Sequence, residues 1–154
     1  MKKLTLLIST IALFYASCST KELSKEEATQ VIRQQGKYPK AINYDIYCSD
    51  PSHAKKAIDA GLEKEGLVSV QRTQKLGDVG KSLIQFTAKA QSYLLATPEK
   101  DKSLDVQKVK IADEDLSEVT SVQTENDGKG AVVEYTTAYK NITPFSPLNN
   151  NKLL

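Results

Sequence analysis

The chain is poor in the residues that carry most protein chemistry: it has no tryptophan, one histidine (His53), one methionine and two cysteines among 154 residues. One histidine and two cysteines are too few for a structural zinc site of the four-cysteine kind or of the two-cysteine, two-histidine kind. Neither sign of charge dominates, since 21 lysines and arginines face 19 aspartates and glutamates. This balance argues against a nucleic-acid-binding protein that works by neutralising phosphates.

A membrane-spanning length of apolar sequence is also missing. The uncharged, apolar stretch Leu4 to Phe14 has eleven residues. At about 1.5 Å per helical residue it is too short for a hydrocarbon core of roughly 30 Å. It follows the basic residues Lys2 and Lys3 and precedes the small residues Ala16 and Ser17. A basic start, a short apolar core and small residues together indicate a signal peptide.

The residues around Cys18 resemble the lipobox of bacterial lipoproteins, in which the cysteine is acylated and becomes the first mature residue. Tyr15 stands where that family usually has an aliphatic residue, and Ser17 before the cysteine is similar to signals of Bacteroides-type bacteria. The resemblance implies a signal peptide over 1–17, lipid (palmitate among its chains) on Cys18, and anchoring in the bacterial cell envelope, at the outer membrane. The alternatives are an ordinary signal peptide cut near Ala16 or Ser17, which leaves Cys18 free, and an uncleaved anchor.

Processing would leave a neutral mature chain. Removal of 1–17 takes away two lysines, so 21 − 2 = 19 basic side chains face 19 acidic ones. Residues 18–23 are then a short polar tether. Lipid would hold the protein without help from charge, because two or three acyl chains anchor stably.

Helical and strand periods alternate through the first half of the mature chain, 24–97. Ser24 and Glu27 form a capping box, and Asp50 before Pro51 is an N-cap followed by proline at the first helical position. The predicted elements are a helix over 25–35, a strand over 41–47, a helix from 51 to about 65, a hairpin of strands over 67–74 and 83–86, and a short helix from Thr87 to 95.

Residues 103–148 show the strand period without a helical one. Val133, Tyr135 and Tyr139 alternate with polar residues, which predicts a strand, and Asp127-Gly128 before it is a strong hairpin signal. Two earlier strands are predicted around 106–111 and 119–122, with a bulge suggested by the spacing of Val119 and Val122. A loose tail follows over 149–154.

Two segments resemble bacterial winged-helix proteins. The step from Leu62 to Val68 is similar to their passage from the recognition helix into the wing, and Phe86 to Lys89 is similar to the close of the wing. One clear helix lies between the first strand and the wing, where the family has two. The end of the chain, from Val133 to Phe145, is similar to β-rich bacterial envelope lipoproteins of unknown function. The resemblance implies an α+β fold in which a winged-helix-like half, 24–97, packs on an antiparallel β-meander, 103–148.

A winged-helix-like fold does not by itself imply DNA binding. The predicted helix 51–65 balances its charges, with Lys55, Lys56 and Lys64 against Asp59, Glu63 and Glu65. A helix that enters the major groove is normally basic. An exported chain also has no access to DNA, so we expect no nucleic-acid partner.

Cys48 and His53 are the thiol–imidazole pair that the chain offers for nucleophilic catalysis. Cys48 ends an apolar strand, and the helix N-terminus around His53 disfavours an imidazolium that would support a thiolate. We therefore expect a buried structural cysteine and a surface histidine. A Cys18–Cys48 disulfide is the other interpretation if Cys18 is not acylated. Motifs of serine hydrolases, phosphate loops and zinc helices are absent from the sequence, so no catalytic residue, metal ligand or cofactor is assigned.

Two polar or aromatic groups remain as site candidates. Asp113, Glu114 and Asp115 lie between predicted strands but lack the alternating ligand spacing of a calcium loop, so a solvated turn is expected. Tyr135 and Tyr139 lie at i and i+4 and share one face of a strand, which makes them the candidate ligand or partner face. The structural interpretation of the same pair is a core edge, where each ring is buried and its hydroxyl reaches water.

The sequence therefore predicts a cell-envelope lipoprotein, anchored by lipid at Cys18, that acts as a non-catalytic binding or interaction module. Its expected partners are the membrane, through the anchor, and an envelope protein. The alternative is an envelope enzyme that uses Cys48 as a thiol nucleophile.

Overall fold

A computed structural model describes residues 12–15, 22–125 and 130–149. It contains helices and antiparallel sheets, which confirms the predicted α+β class. The chain forms two compact units that do not follow chain order. Of the described residues, unit 1 joins those up to Lys40 with those between Asp113 and Lys140, and unit 2 joins Ala41–Ala112 with those from Asn141 to Asn149. Each unit thus combines segments from both predicted halves.

Several predicted features fall wholly or largely outside the described residues: the signal peptide over 1–17, Cys18 and the tether that follows it, the Asp127-Gly128 turn, and the tail over 149–154. The strands on either side of the Asp127-Gly128 turn do pair, as the turn predicts: Glu125 N donates to the Gly130 carbonyl at 2.9 Å.

Unit 1 consists of one helix and antiparallel strands. Its elements are β1 (Ala12–Tyr15), α1 (Lys25–Gln35), most of β5 (Val106–Thr124) and β6 (Gly130–Lys140). Strand β6 pairs antiparallel with both β1 and β5. The capping box predicted for α1 is confirmed, because Ser24 Oγ accepts from Glu27 N at 3.2 Å while the Glu27 carboxylate accepts from Ser24 N at 3.0 Å.

Strand β5 is one strand of 19 residues, so the prediction of two separate strands was wrong. Its register against β6 shifts between Leu116 and Glu118 and again between Val119 and Ser121. A bulge places an extra residue in one strand, so the register shifts while the two strands remain paired. The second shift confirms the bulge that the spacing of Val119 and Val122 predicted.

The core of unit 1 forms where α1 packs on the paired strands. Ala28 and Ile32, four residues apart on α1, are buried against Leu116, Val119 and Val133. Residues four apart lie on one face of a helix, so the apolar stripe of the sequence is the face that is buried.

Unit 2 combines short strands with one helix, a second, shorter helix and several 3-10 turns. Its elements are β2 (Lys40–Tyr47) apart from its first residue, α2 (Pro51–Asp59), β3 (Val68–Val70), β4 (Ile84–Phe86), the short helix α3 (Glu99–Lys102), the start of β5, and 3-10 turns over Leu76–Asp78, Ala88–Tyr93 and Ser146–Asn149. Strands β3 and β4 form a separate antiparallel pair, with Ser69 opposite Gln85, and β2 neighbours β5.

Helix α2 ends earlier than predicted. It is capped by Asp50, whose carboxylate accepts from Ser52 N at 2.6 Å, and it stops at Asp59 rather than near residue 65. Gly61 has φ +77°, a left-handed conformation that glycine adopts without strain and that ends a helix. Leu62 lies in the turn that follows the helix and is fully buried. Its apolar character therefore reflects core packing and not a longer helix.

The core of unit 2 centres on Phe145, which is fully buried. Its ring lies 6.3 Å from that of Phe86 and 5.9 Å from that of Tyr93, centroid to centroid. Thr143 positions this segment, because its hydroxyl donates to the Lys110 carbonyl at 2.6 Å. The other large, fully buried side chains of the unit are Ile46, Leu62, Leu67, Ile84, Val109 and Ile111.

Candidate functional site

Cys48 belongs to the apolar core of unit 2 and borders an open pocket of about 290 Å³ that Ser82 and Asp105 also line. The residue is 5% exposed, and Sγ lies 3.7 Å from the Ile46 carbonyl oxygen, to which it donates. Burial, followed by the negative charge of Asp105, raises the pKa of the Cys48 thiol to about 11. The expectation of a buried structural cysteine is confirmed, and the group is a protonated thiol at neutral pH. A thiolate nucleophile needs a lowered pKa.

His53 contacts Tyr47 and Tyr44 and forms no hydrogen bond with the Cys48 thiol. Its Nδ1 accepts from the Tyr47 backbone N–H at 3.4 Å, and its ring lies 5.1 Å from the ring of Tyr47 and 5.8 Å from that of Tyr44. Burial lowers the pKa of His53, and the Lys56 charge adds to that shift against the opposing effect of Asp50. The predicted surface histidine is therefore half-buried and disposed to be neutral.

The acidic cluster is part of strand β5, so the expectation of a solvated turn was wrong. Asp113 and Asp115 are each 9% exposed. Asp115 lies between two cations, with Oδ1 2.7 Å from Arg33 Nη1 and Oδ2 2.8 Å from Lys140 Nζ. Hydrogen bonds from Lys140 and then Arg33, opposed by desolvation, lower the pKa of the Asp115 carboxyl.

Glu114 is also engaged. Its Oε2 lies 2.8 Å from Lys40 Nζ, and its Oε1 accepts from the Thr137 hydroxyl at 2.8 Å. Among the described residues, no group of three or more histidine, cysteine, aspartate or glutamate side chains has the arrangement of a metal site. Glu114 and Asp115 thus form ion pairs and hydrogen bonds within unit 1.

Tyr135 and Tyr139 lie on β6, and the register places them opposite Val119 and Glu114. Both are half-buried. Tyr135 packs against the core of unit 1 and shares a side-chain hydrogen bond with Tyr38. Desolvation, and then that hydrogen bond, raise the pKa of Tyr38. Tyr135, one of the two residues of the candidate ligand face, therefore forms contacts within unit 1.

Sequence reasoning missed the basic partners of this cluster. Lys40 Nζ lies 5.1 Å above the ring of Tyr38 as well as beside Glu114, and Arg33 also donates to the Leu116 carbonyl at 3.1 Å. Arg33 lies in the last turn of α1, where a basic residue is already explained by the helix dipole. Its partner is 82 positions away, and nothing local in the sequence indicates it.

Each unit has an open groove. In unit 2 a groove of about 390 Å³ lies between α2 and the β3–β4 pair. Its walls combine apolar side chains, such as Ile58, Val70 and Leu83, with the basic residues Lys55 and Arg72. In unit 1 a groove of about 530 Å³ runs between α1 and β5 and is lined mainly by polar and charged residues. Grooves of this size accommodate a short peptide segment or a small ligand.

Comparison with protein-family models, with curated proteins and with solved structures finds no match to this chain. Within the part of the chain that the structure describes, none of the helices has the length and apolar character needed to cross a membrane.

Proposed function

We propose that the chain is a lipoprotein of the bacterial cell envelope, anchored through acyl chains on Cys18 at the outer membrane. The observation that carries this proposal is the order of features at the N-terminus: Lys2 and Lys3, the apolar run from Leu4, then Ala16-Ser17 immediately before the cysteine. That order is what an export signal with a lipid attachment site requires. Cleavage before Cys18 would also remove β1, after which β6 keeps β5 as its pairing partner.

The folded body acts in this proposal as a non-catalytic binding or interaction module, and an envelope protein is its expected partner. The polar clusters support a structural role, because Asp115 and Glu114 are already held by cations at 2.7–2.8 Å. The groove between α2 and the β3–β4 pair offers a surface for a ligand or partner, and Tyr139 offers another on β6.

A winged-helix-like arrangement is part of the same proposal. The order strand β2, helix α2, strand β3, loop and strand β4 supports it. Thr87 supports it as well, since its side chain caps the following 3-10 turn by accepting from Lys89 N at 3.2 Å. The arrangement implies no DNA partner, because α2 and its following turn carry no excess of positive charge.

The alternative, an envelope enzyme with Cys48 as nucleophile, requires a reactive thiol. The burial of Cys48 and its raised pKa favour the non-catalytic proposal. A thiol probe applied to the folded Cys18→Ala variant at neutral pH separates the two. Reaction that becomes fast only after unfolding supports the binding module, whereas fast reaction of the folded chain favours the enzyme.

The lipid anchor is tested by metabolic labelling with a palmitate analogue in a bacterial host, followed by mass measurement of the membrane-extracted protein. We expect label on the native chain, none on Cys18→Ala, and full label on the matched control Cys48→Ala. An intact Lys2-Lys3 terminus, or label that persists in Cys18→Ala, would contradict the proposal.

A further inference from the structure

The loop between β3 and β4, residues 71–83, exposes two large apolar side chains. Leu76 is 93% exposed and Val79 is 70% exposed, the two highest values for large hydrophobic residues in the described part of the chain. A single exposed apolar residue is ordinary on a protein surface. Two of them within one four-residue turn form a compact apolar tip, and an exposed apolar patch with a polar rim indicates an interaction site.

Local hydrogen bonds hold this tip in place. Asp78 N donates to the Lys75 carbonyl at 2.8 Å, and Lys81 N donates to the Asp78 carbonyl at 3.0 Å. Gly80 has φ +91°, a conformation that favours glycine. The turn therefore presents Leu76 and Val79 to the outside although their burial would be favourable.

The tip is flanked by positive charge. Residues 71–83 contain Arg72, Lys75 and Lys81 against one acidic residue, Asp78. The Asp78 carboxylate is already neutralised by Lys81, whose Nζ lies 2.7 Å from Oδ1, and Arg72 is ion-paired with Glu63. Lys75 stands directly beside Leu76. Apolar side chains with adjacent lysines suit the boundary between anionic headgroups and acyl chains.

We propose that this loop inserts Leu76 and Val79 into the surface of a bilayer that contains anionic lipid. This membrane contact is additional to the proposed lipid anchor, because it is made by the side chains of Leu76 and Val79 and not by acyl chains on Cys18. Lipid is the occupant that the observations favour, because the two exposed apolar side chains lie in a loop with three basic residues and one acidic residue, and Lys75 beside Leu76 forms no ion pair with the described residues. If Cys18 is acylated, the tether 18–23 spans at most about 20 Å, which keeps the body close to lipid.

The absence of tryptophan makes a direct test available. Leu76→Trp gives the full chain one tryptophan at the tip, and Leu104→Trp is the matched control, because Leu104 is 64% exposed in the same unit. Each variant is mixed with phosphatidylcholine vesicles that contain phosphatidylglycerol, with and without brominated acyl chains. We expect a blue shift of emission and quenching by bromine for Leu76→Trp, and neither for Leu104→Trp.

Two further changes identify the source of the binding. Val79→Ser in the Leu76→Trp chain should weaken vesicle partitioning by about tenfold, since it removes most of a buried apolar side chain. Lys75→Gln should reduce the dependence on phosphatidylglycerol and on ionic strength. Circular dichroism of each variant checks that the fold is retained.

The outcomes separate this proposal from the lipid anchor. If the Leu76→Trp protein is acylated and its tryptophan is not quenched, the loop proposal is overturned and the anchor is left intact. If the same variant lacks acylation and its tryptophan is quenched, the anchor is overturned and the loop is supported. Equal quenching of Leu76→Trp and Leu104→Trp overturns the loop proposal, as does a shift of Leu76→Trp emission that an envelope protein produces and vesicles do not.

Discussion

The two units of the chain differ in the size of the apolar core that each one buries. Unit 2 buries fourteen of the described residues in one apolar core around Phe145, whereas unit 1 buries five between α1 and its strands. Both units also contain ion pairs: Asp115 and Glu114 are held by Arg33, Lys140 and Lys40 in unit 1, and Lys108 is held by Asp45 and Asp101 in unit 2. The number of buried apolar residues, and not the presence of charge pairing, therefore distinguishes the two units. A substitution in the core of unit 2 should accordingly have a larger effect than one at an ion pair of unit 1.

The largest expected effect tests packing in unit 2. Phe145→Ala should lower the free energy of unfolding by about 3–5 kcal/mol, the range for loss of a buried aromatic ring. Chemical denaturation measures the loss. The control Ile142→Ala lies three residues earlier and is 49% exposed, so its effect should stay within about 0.5 kcal/mol. Similar losses for both variants would contradict a core centred on Phe145.

A smaller effect tests charge pairing in unit 1. Asp115→Asn should cost about 1–2 kcal/mol at neutral pH, between the values of exposed and buried ion pairs, because Arg33 and Lys140 are half-exposed. The pKa of Asp115 is lowered in the folded chain. The ionised carboxylate therefore stabilises the fold above its ordinary pKa near 3.8 and loses that contribution as pH falls through the folded pKa.

The pH profile distinguishes this from a packing defect. The difference between the native chain and Asp115→Asn should be full at pH 7, smaller in high salt, and should shrink as the pH falls below about 3.8. Asp59→Asn is the control, because Asp59 forms an exposed helical pair with Lys55, and its effect should be near zero. A difference that does not change with pH would remove charge pairing as the cause.

The smallest effect tests the hydrogen bond between Tyr135, on the candidate ligand face, and Tyr38. Tyr135→Phe keeps the ring against the core of unit 1 but removes the hydrogen bond to Tyr38, at an expected cost of about 0.5–1.5 kcal/mol. Spectroscopic titration should also show a lower pKa for Tyr38, because that hydrogen bond contributes to its raised value. Tyr139→Phe is the matched control. A stability loss confined to Tyr139→Phe would reverse the roles assigned to the two rings.

The parts of the fold that the sequence predicts are those determined within a few residues. The capping box at Ser24, the N-cap and proline at Asp50-Pro51 and the alternation of β6 are each local, and each is confirmed. The predicted end of α2 was wrong because Leu62 continues the apolar spacing while Gly61 breaks the backbone. The α+β class follows from such local signals alone.

The candidate sites were harder to predict because their partners are distant in the chain. Three consecutive acidic residues indicate a solvated turn when only their neighbours are considered. In the folded chain Asp115 is neutralised by Arg33, 82 positions away, and Lys140, 25 positions away. Burial of a carboxylate becomes favourable only with those cations present, and no local pattern encodes them.

The discontinuous make-up of unit 1 has a consequence for the order of folding during synthesis. Helix α1 leaves the ribosome early, but the strand residues that bury Ile32 and pair with Arg33 lie in 113–140. An isolated helix of eleven residues is marginal in water, so α1 should remain largely unstructured until most of the chain has been made. Contacts between segments this far apart also close slowly. Unit 1 should therefore complete its fold only after its last strand, β6, has been made.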